Sequence, residues 1–250
     1  MKKFVVFIFT ITMTLLGSRS LFANNTVSME DWSSAQMASW SPPGKSLYKD
    51  ALETEEAGKT RYRSIARDAI SVVYDPTEAP LFPGPYGRAK TLAVMLSVAH
   101  AESGFRKDVD TGKGPSSKGD GGRSWCLMQV QLGKAINGKT SIRINLKGDT
   151  VEYVYDRVSG WGGEDLISDR KACFRIGLHI MRHSFNSCKS VPLEDRLTAY
   201  TSGNCTGGRK SSRARIKKAV RWLASIAPPM TDDSVISSMT PGFIGPLALK

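Results

Sequence analysis

Leu92-Ala93-Val94-Met95-Leu96-Ser97-Val98-Ala99-His100-Ala101 runs without a break into Glu102-Ser103-Gly104. The stretch is apolar nearly all round, the pattern of a helix enclosed in a core rather than laid on a surface. Gly104 supplies a stop, which puts Glu102 in the last turn. Both placements disfavour the ionised carboxylate: partial burial strips water from the anion, and the negative end of the helix dipole repels it. A carboxylic acid that keeps its proton near neutral pH is the reagent needed to protonate a leaving oxygen. A helix-end Glu that reaches out to water is the competing reading of the same segment.

Outward from this helix the chain is helical on both sides. Tyr62, Ile65, Ala66, Ala69, Ile70 and Val73 keep a helical stripe that ends before Asp75-Pro76, and residues 76–87 carry four prolines in a connecting loop. Residues 106–124 are Gly- and charge-rich, hence a long loop of the kind that carries function. Ile142, Ile144 and Leu146 alternate with polar residues, Lys147-Gly148-Asp149 turns the chain, and Val151, Tyr153 and Tyr155 alternate again, a hairpin signal. Helix returns over 165–186, with Phe174, Leu178, Met181 and Phe185 on one face, and Pro192 opens a short helix through Tyr200. A last helix over 209–227 buries Ile216, Ala219, Val220, Leu223 and Ile226 and turns Arg209, Lys210, Arg213, Arg215, Lys217, Lys218 and Arg221 outward. The expected fold class is mainly α, an α+β fold with one small β-hairpin.

Four regions follow: a signal peptide at 1–23, a loosely ordered polar leader at 24–47, the folded domain at 48–227 and an extended tail at 228–250. The first is read from Lys2-Lys3, the thirteen-residue run from Phe4 to Leu16 and the small residues near Ala23, where cleavage is placed. That run is too short to span a bilayer comfortably, although an uncleaved anchor is the alternative. The expected location is secreted or periplasmic, with no stable membrane insertion after signal removal. The net charge of +12 falls by three, to +9, when Lys2, Lys3 and Arg19 leave. Such a basic exported protein is drawn to anionic partners such as cell-wall polymer, acidic membrane or nucleic acid. Export makes disulfides the first reading of Cys126, Cys173, Cys188 and Cys205. Cys188–Cys205 with Cys126–Cys173 is favoured among three possible pairings. Zinc is the weaker reading, because no C-x-x-C spacing occurs and Ile180 follows His179 in the His179/His183 pair.

Three further segments join Glu102: Gly119-Asp120-Gly121-Gly122-Arg123-Ser124-Trp125-Cys126-Leu127-Met128-Gln129-Val130, the helix over 172–186, and Ala199-Tyr200-Thr201-Ser202-Gly203. In this order the set resembles the lysozyme-like superfamily, close to goose-type lysozymes and soluble lytic transglycosylases. These share a helix ending in Glu-Ser, then Gly-Leu-Met-Gln, a long helix, and Ala-Tyr-Asn-x-Gly. The likeness covers residues 88 to about 225.

The resemblance implies a lysozyme-like fold in which Glu102 protonates the glycosidic oxygen between N-acetylmuramic acid and N-acetylglucosamine in peptidoglycan glycan strands. The expected protein is a monomer with no cofactor or metal, and no nucleic-acid partner is expected because the basic last helix lacks interleaved aromatics beyond Trp222. The resemblance places Ser103, Leu127, Met128, Gln129 and Tyr200 about the sugar, Leu127 to Gln129 as cleft floor and Tyr200 beside the acid. Helix capping for Ser103 and plain core packing for Met128 and Tyr200 are the alternatives. Cys126 departs from the family glycine, Thr201 from its asparagine, and Gln131 from a second aspartate. Asp120 aligns with a Gly-Asp of the goose-type enzymes and is the candidate second carboxylate of a hydrolase; a turn residue beside glycines is its other reading. A lytic transglycosylase, which needs no second carboxylate, is favoured over a hydrolytic lysozyme. A wall-binding protein that no longer cuts and a basic nucleic-acid binder are the readings from other classes.

Overall fold

The structure, a computed structural model, describes residues 28–46, 48–132, 141–146, 149–154 and 162–239. The expected signal peptide with its cleavage point, the turn at Lys147-Gly148, Tyr155 and the last residues of the tail lie outside that set. The chain builds α1 (Met29–Trp40), α2 (Glu55–Val73), α3 (Gly87–Ser103), α4 (Lys107–Thr111), β1 (Ser124–Trp125) and β2 (Val130–Gln131). It continues with β3 (Ser141–Leu146), β4 (Asp149–Val154), α5 (Gly163–Ser168), α6 (Arg170–Ser187), α7 (Thr198–Ser202), α8 (Arg209–Ser225) and α9 (Asp232–Met239). The molecule is mainly helical. Among the described residues the β content is two antiparallel hairpins, β1 against β2 with Trp125 opposite Val130, and β3 against β4 with Ile144 opposite Val151.

The apolar run is the central helix, α3, packed by α1, α2, α6 and α8. Every residue from Leu92 to Ala99 is buried, Ser97 included, which is why this helix shows no polar face. It stops where expected. Gly104 takes the left-handed conformation (φ +60°), and its N–H closes on the His100 carbonyl at 2.8 Å. The stripe of α2 from Tyr62 to Val73 is buried as the periodicity requires, and the β3–β4 hairpin forms where the alternation ran.

Both extensions differ from expectation. Residues 29–40 form a helix and not a loosely ordered leader. Ser28 caps it by accepting from the Asp31 N–H at 3.0 Å, and Trp32 stacks on Trp222 with ring centroids 3.9 Å apart. Trp40 meets the edge of the same indole at 5.5 Å, so three tryptophans knit α1 to α8. The tail is not extended over 232–239 but forms α9. Asp232 Oδ2 accepts the Arg88 N–H at 2.9 Å and its Oδ1 the Ala89 N–H at 3.3 Å, so an acid from α9 satisfies the opening turn of α3.

Three smaller corrections follow. The 106–124 loop contains α4, pinned by the buried Asp110 against Arg170. The expected helix over 165–186 is broken at Asp169, which leaves the helical region and caps α6 by accepting from the Ala172 N–H. In α8 the buried face is Ser212, Arg215, Ile216, Ala219 and Trp222, whereas Val220 and Ile226 are more than half exposed. Arg215 therefore faces inward, opposite to its expected placement.

The four cysteines pair as Cys126–Cys173 and Cys188–Cys205. Two cystines fit an oxidising compartment. Among the described residues no helix is long and apolar enough to cross a membrane.

Candidate active site

Glu102 ends α3 at one wall of a cleft of about 490 Å³ that Asp120, Gln129, Tyr200, Thr201 and Arg215 also line. Six segments meet there: the end of α3, the loop before β1, the β1–β2 hairpin, Ile180 of α6, α7, and the inner face of α8.

The Glu102 side chain is 21 % exposed, and its Oε1 accepts from Arg215 Nη2 at 2.6 Å. No protein group bonds its Oε2 among the described residues. Burial raises its proton affinity above the usual glutamate value; the Arg215 charge pulls the other way without reversing it, and the Asp120 charge adds to the rise. Asp120 is the opposite case. Its Oδ2 accepts from Ser124 Oγ at 2.6 Å and from Gln131 Nε2 at 2.7 Å, and these bonds hold its carboxyl below the usual aspartate value. One cleft thus holds a carboxyl group biased toward its proton and another biased toward its charge. Two carboxyl groups whose surroundings push their proton affinities apart can serve as acid and anion in one reaction.

The turn that carries the Leu-Met-Gln triplet explains which of its side chains reach the cleft. Cys126 (φ +59°) and Gln129 (φ +48°) both sit in the left-handed region, with Leu127 and Met128 between them. The turn is closed by the Gln129 N–H on the Cys126 carbonyl at 3.0 Å, and Gln129 Nε2 donates to the same oxygen at 3.0 Å. Leu127 and Met128 point into the core, 1 % and 0 % exposed. Only Gln129 of the three lines the cleft, so the floor expected from Leu127 and Met128 side chains is not there. Met128 contributes through its backbone: its carbonyl accepts the Tyr200 hydroxyl at 2.6 Å. Its side chain packs on Gly177 of α6, where a Cβ would lie 2.6 Å from Met128 Cε.

Tyr200 is both packed and in the cleft; burial and the nearby Glu102 charge push its hydroxyl well above the usual tyrosine value, so it stays a neutral donor. Thr201, where the resembled family has asparagine, turns its hydroxyl back onto the Thr198 carbonyl at 3.1 Å and does not support Tyr200. Ser103 is buried and caps the end of α3, donating to the Ala99 carbonyl at 2.7 Å and accepting from the Phe105 N–H at 3.2 Å; it is not a cleft residue. His179 bonds the Glu78 carboxylate at 3.0 Å, away from the cleft. Among the described residues no cluster of three or more His, Cys, Asp or Glu side chains is arranged to hold a metal ion.

Arg215 is the site residue that reading the sequence missed. The signal was its register: three residues after Ser212 and seven before Trp222, it falls on the inward stripe of a helix otherwise rich in outward cations. Comparison of the chain with protein-family models, curated proteins and solved structures finds no match.

Proposed function

We propose that the protein is an exported peptidoglycan-cleaving glycosidase of lysozyme-like fold, and that Glu102 is its catalytic acid. The observation that carries this is the position of Glu102: a largely buried carboxyl group at the end of a helix whose middle is buried on every side, with raised proton affinity, facing a cleft shared with Gln129 and Tyr200. These are three of the residues that the motif resemblance assigns to the sugar site. The cationic chain suits an anionic wall polymer. Cys126 in place of glycine does not spoil the turn, since the backbone there takes the left-handed form with the side chain tied to Cys173.

In the favoured reaction Glu102 gives its proton to the oxygen joining N-acetylmuramic acid to N-acetylglucosamine as the C1–O bond breaks. The carboxylate then takes the proton of the muramoyl C6 hydroxyl while O6 bonds to C1, closing a 1,6-anhydro ring. The acid is regenerated and no water is consumed. With a proton of each held by the Met128 and Cys126 carbonyls, the Tyr200 hydroxyl and the Gln129 amide present oxygens that accept from sugar hydroxyls, and no cofactor enters. Gln131, standing where the resembled lysozymes carry a second aspartate, supports this route over hydrolysis.

A hydrolase is the second reading. It is favoured by Asp120 facing the same cleft and acting on Glu102 through its charge. Digestion of purified sacculi followed by mass spectrometry decides the matter. The proposal expects 1,6-anhydro ends from the wild type and from Asp120→Asn, and none from Glu102→Gln. Reducing ends that vanish in Asp120→Asn identify the hydrolase. If the wild type releases no glycan yet sediments with sacculi as strongly as Glu102→Gln does, the protein binds wall without cutting it.

A further inference from the structure

The reaction written above makes no use of Arg215, the only cation among the described residues that line the cleft. Its guanidinium is held at two points and its backbone at a third. Nη2 donates to Glu102 Oε1 at 2.6 Å, Nη1 donates to Ser211 Oγ one turn back on α8, and the Arg215 carbonyl accepts from Ser97 Oγ at 2.8 Å. Ser97 and Glu102 stand on the same helix, so α3 grips the backbone of Arg215 with one residue and its side chain with the other. The side chain is 10 % exposed and occupies a core-facing position of α8. A guanidinium so enclosed is costly unless a fixed anion answers it. The remaining charged or titratable groups about Glu102 are Asp120 from the loop before β1 and Tyr200 from α7. His100 on its own helix is engaged by Lys218 Nζ at 2.9 Å.

We infer that Arg215 is a positioning residue for Glu102. It holds the carboxyl group by Oε1, leaves Oε2 to face the sugar, and stabilises the anion that remains once the proton has moved to the leaving oxygen. The last of these rests on the glycosidase reading; the hold on Oε1 does not. The arrangement answers a difficulty that burial alone creates. A desolvated acid keeps its proton well but gives it up poorly, because its anion is left without water. A cation bonded to one oxygen lowers the energy of that anion while the other oxygen carries the proton.

The test is a carbon-detected NMR titration of the Glu102 carboxyl group in the full chain, assigned with Glu102→Gln, for the wild type, Arg215→Lys, Arg215→Met and Ser211→Ala. In Arg215→Met the protonation midpoint rises by about one unit or more, a proton held at least about tenfold tighter. Arg215→Lys returns most of that rise. Ser211→Ala, which frees only Nη1, gives a smaller rise and keeps the test decisive if Arg215→Met does not fold. On wall glycan, kcat in Arg215→Met falls about tenfold or more with little change in KM, its alkaline limb moves to higher pH, and Arg215→Lys rescues both. A midpoint that stays or falls in these variants overturns the inference. A wild type that leaves wall glycan uncut while the midpoints move as described overturns the glycosidase reading and leaves the hold of Arg215 on Glu102 standing.

Discussion

Cys126 occupies a left-handed backbone position (φ +59°) that an L-residue adopts at a cost of about 1–2 kcal/mol and glycine at almost none. Its bond to Cys173 spans 47 residues of sequence, for which chain entropy alone gives about 4 kcal/mol. Two variants separate these effects. Cys126→Ala with Cys173→Ala loses the cross-link and keeps the strain. Cys126→Gly with Cys173→Ala loses the cross-link and the strain, but adds freedom to the unfolded chain worth about 0.4–1 kcal/mol. The identical change at the fully buried Cys173 cancels between them. At the middle of these ranges the glycine form is the more stable of the two by about 0.8 kcal/mol, with a melting temperature roughly 2 °C higher. Urea denaturation at equilibrium, with equal slopes in both variants, reads the difference directly. An alanine form as stable as the glycine form would refute the reasoning, since it would mean that the turn relaxes out of the left-handed region once the sulfurs part.

Further expectations follow from other contacts. Trp32→Ala removes a stacked indole and the hydrogen bond from Trp32 Nε1 to the Ile226 carbonyl, and should cost about 3–5 kcal/mol by urea denaturation; a loss under about 1 kcal/mol would return α1 to the standing of a dispensable leader. Gly177→Ala drives a methyl group against Met128, whose carbonyl holds Tyr200, so it should destabilise by about 1–2 kcal/mol despite better helix propensity; a neutral or stabilising result would mean that Met128 moves freely. Glu102 binds its proton more tightly folded than unfolded, so native stability declines as pH rises from the ordinary glutamate value to the higher folded one. Relative to Glu102→Gln, wild-type stability should be level below that window and fall progressively through it. A difference that is constant with pH would show that the Arg215 charge balances burial, and one that grows in favour of the wild type that it outweighs burial.

The parts of this molecule that were legible in the sequence are those whose signal is local. Helix α3 announced itself because every face of it is buried, and its end was marked by a glycine in the conformation glycine favours. The alternation across Lys147-Gly148-Asp149 marked the hairpin. Helix α1 was hidden by composition: Met29, Trp32, Met37 and Trp40 are spaced for one face, but the serines among them suggested disorder, and Ser33 and Ser34 are in fact buried. Ser28, followed three residues later by Asp31, was the overlooked start signal. The role of Asp232 had no local signature, because the donors it satisfies begin a helix far back in the chain.

The site divides in the same way. Glu102, Asp120, Gln129 and Tyr200 were singled out as short motifs, and the fold brings them to one cleft. Leu127 and Met128 belong to the same motif, yet a turn with left-handed residues at both ends sends their side chains to the core. Motif membership names the residues and not the direction they face. Arg215 was counted among the outward cations of α8 because charge was weighed over register, and register decided where it went.

The central claim is that Glu102 gives its proton to a glycosidic oxygen, and a defined oligomer of alternating N-acetylglucosamine and N-acetylmuramic acid tests it most directly. Incubated with the wild type, the oligomer should be cut after muramic acid to fragments ending in 1,6-anhydro rings, while Glu102→Gln should leave it whole. An oligomer untouched by the wild type, or cut equally fast by Glu102→Gln, would contradict the account.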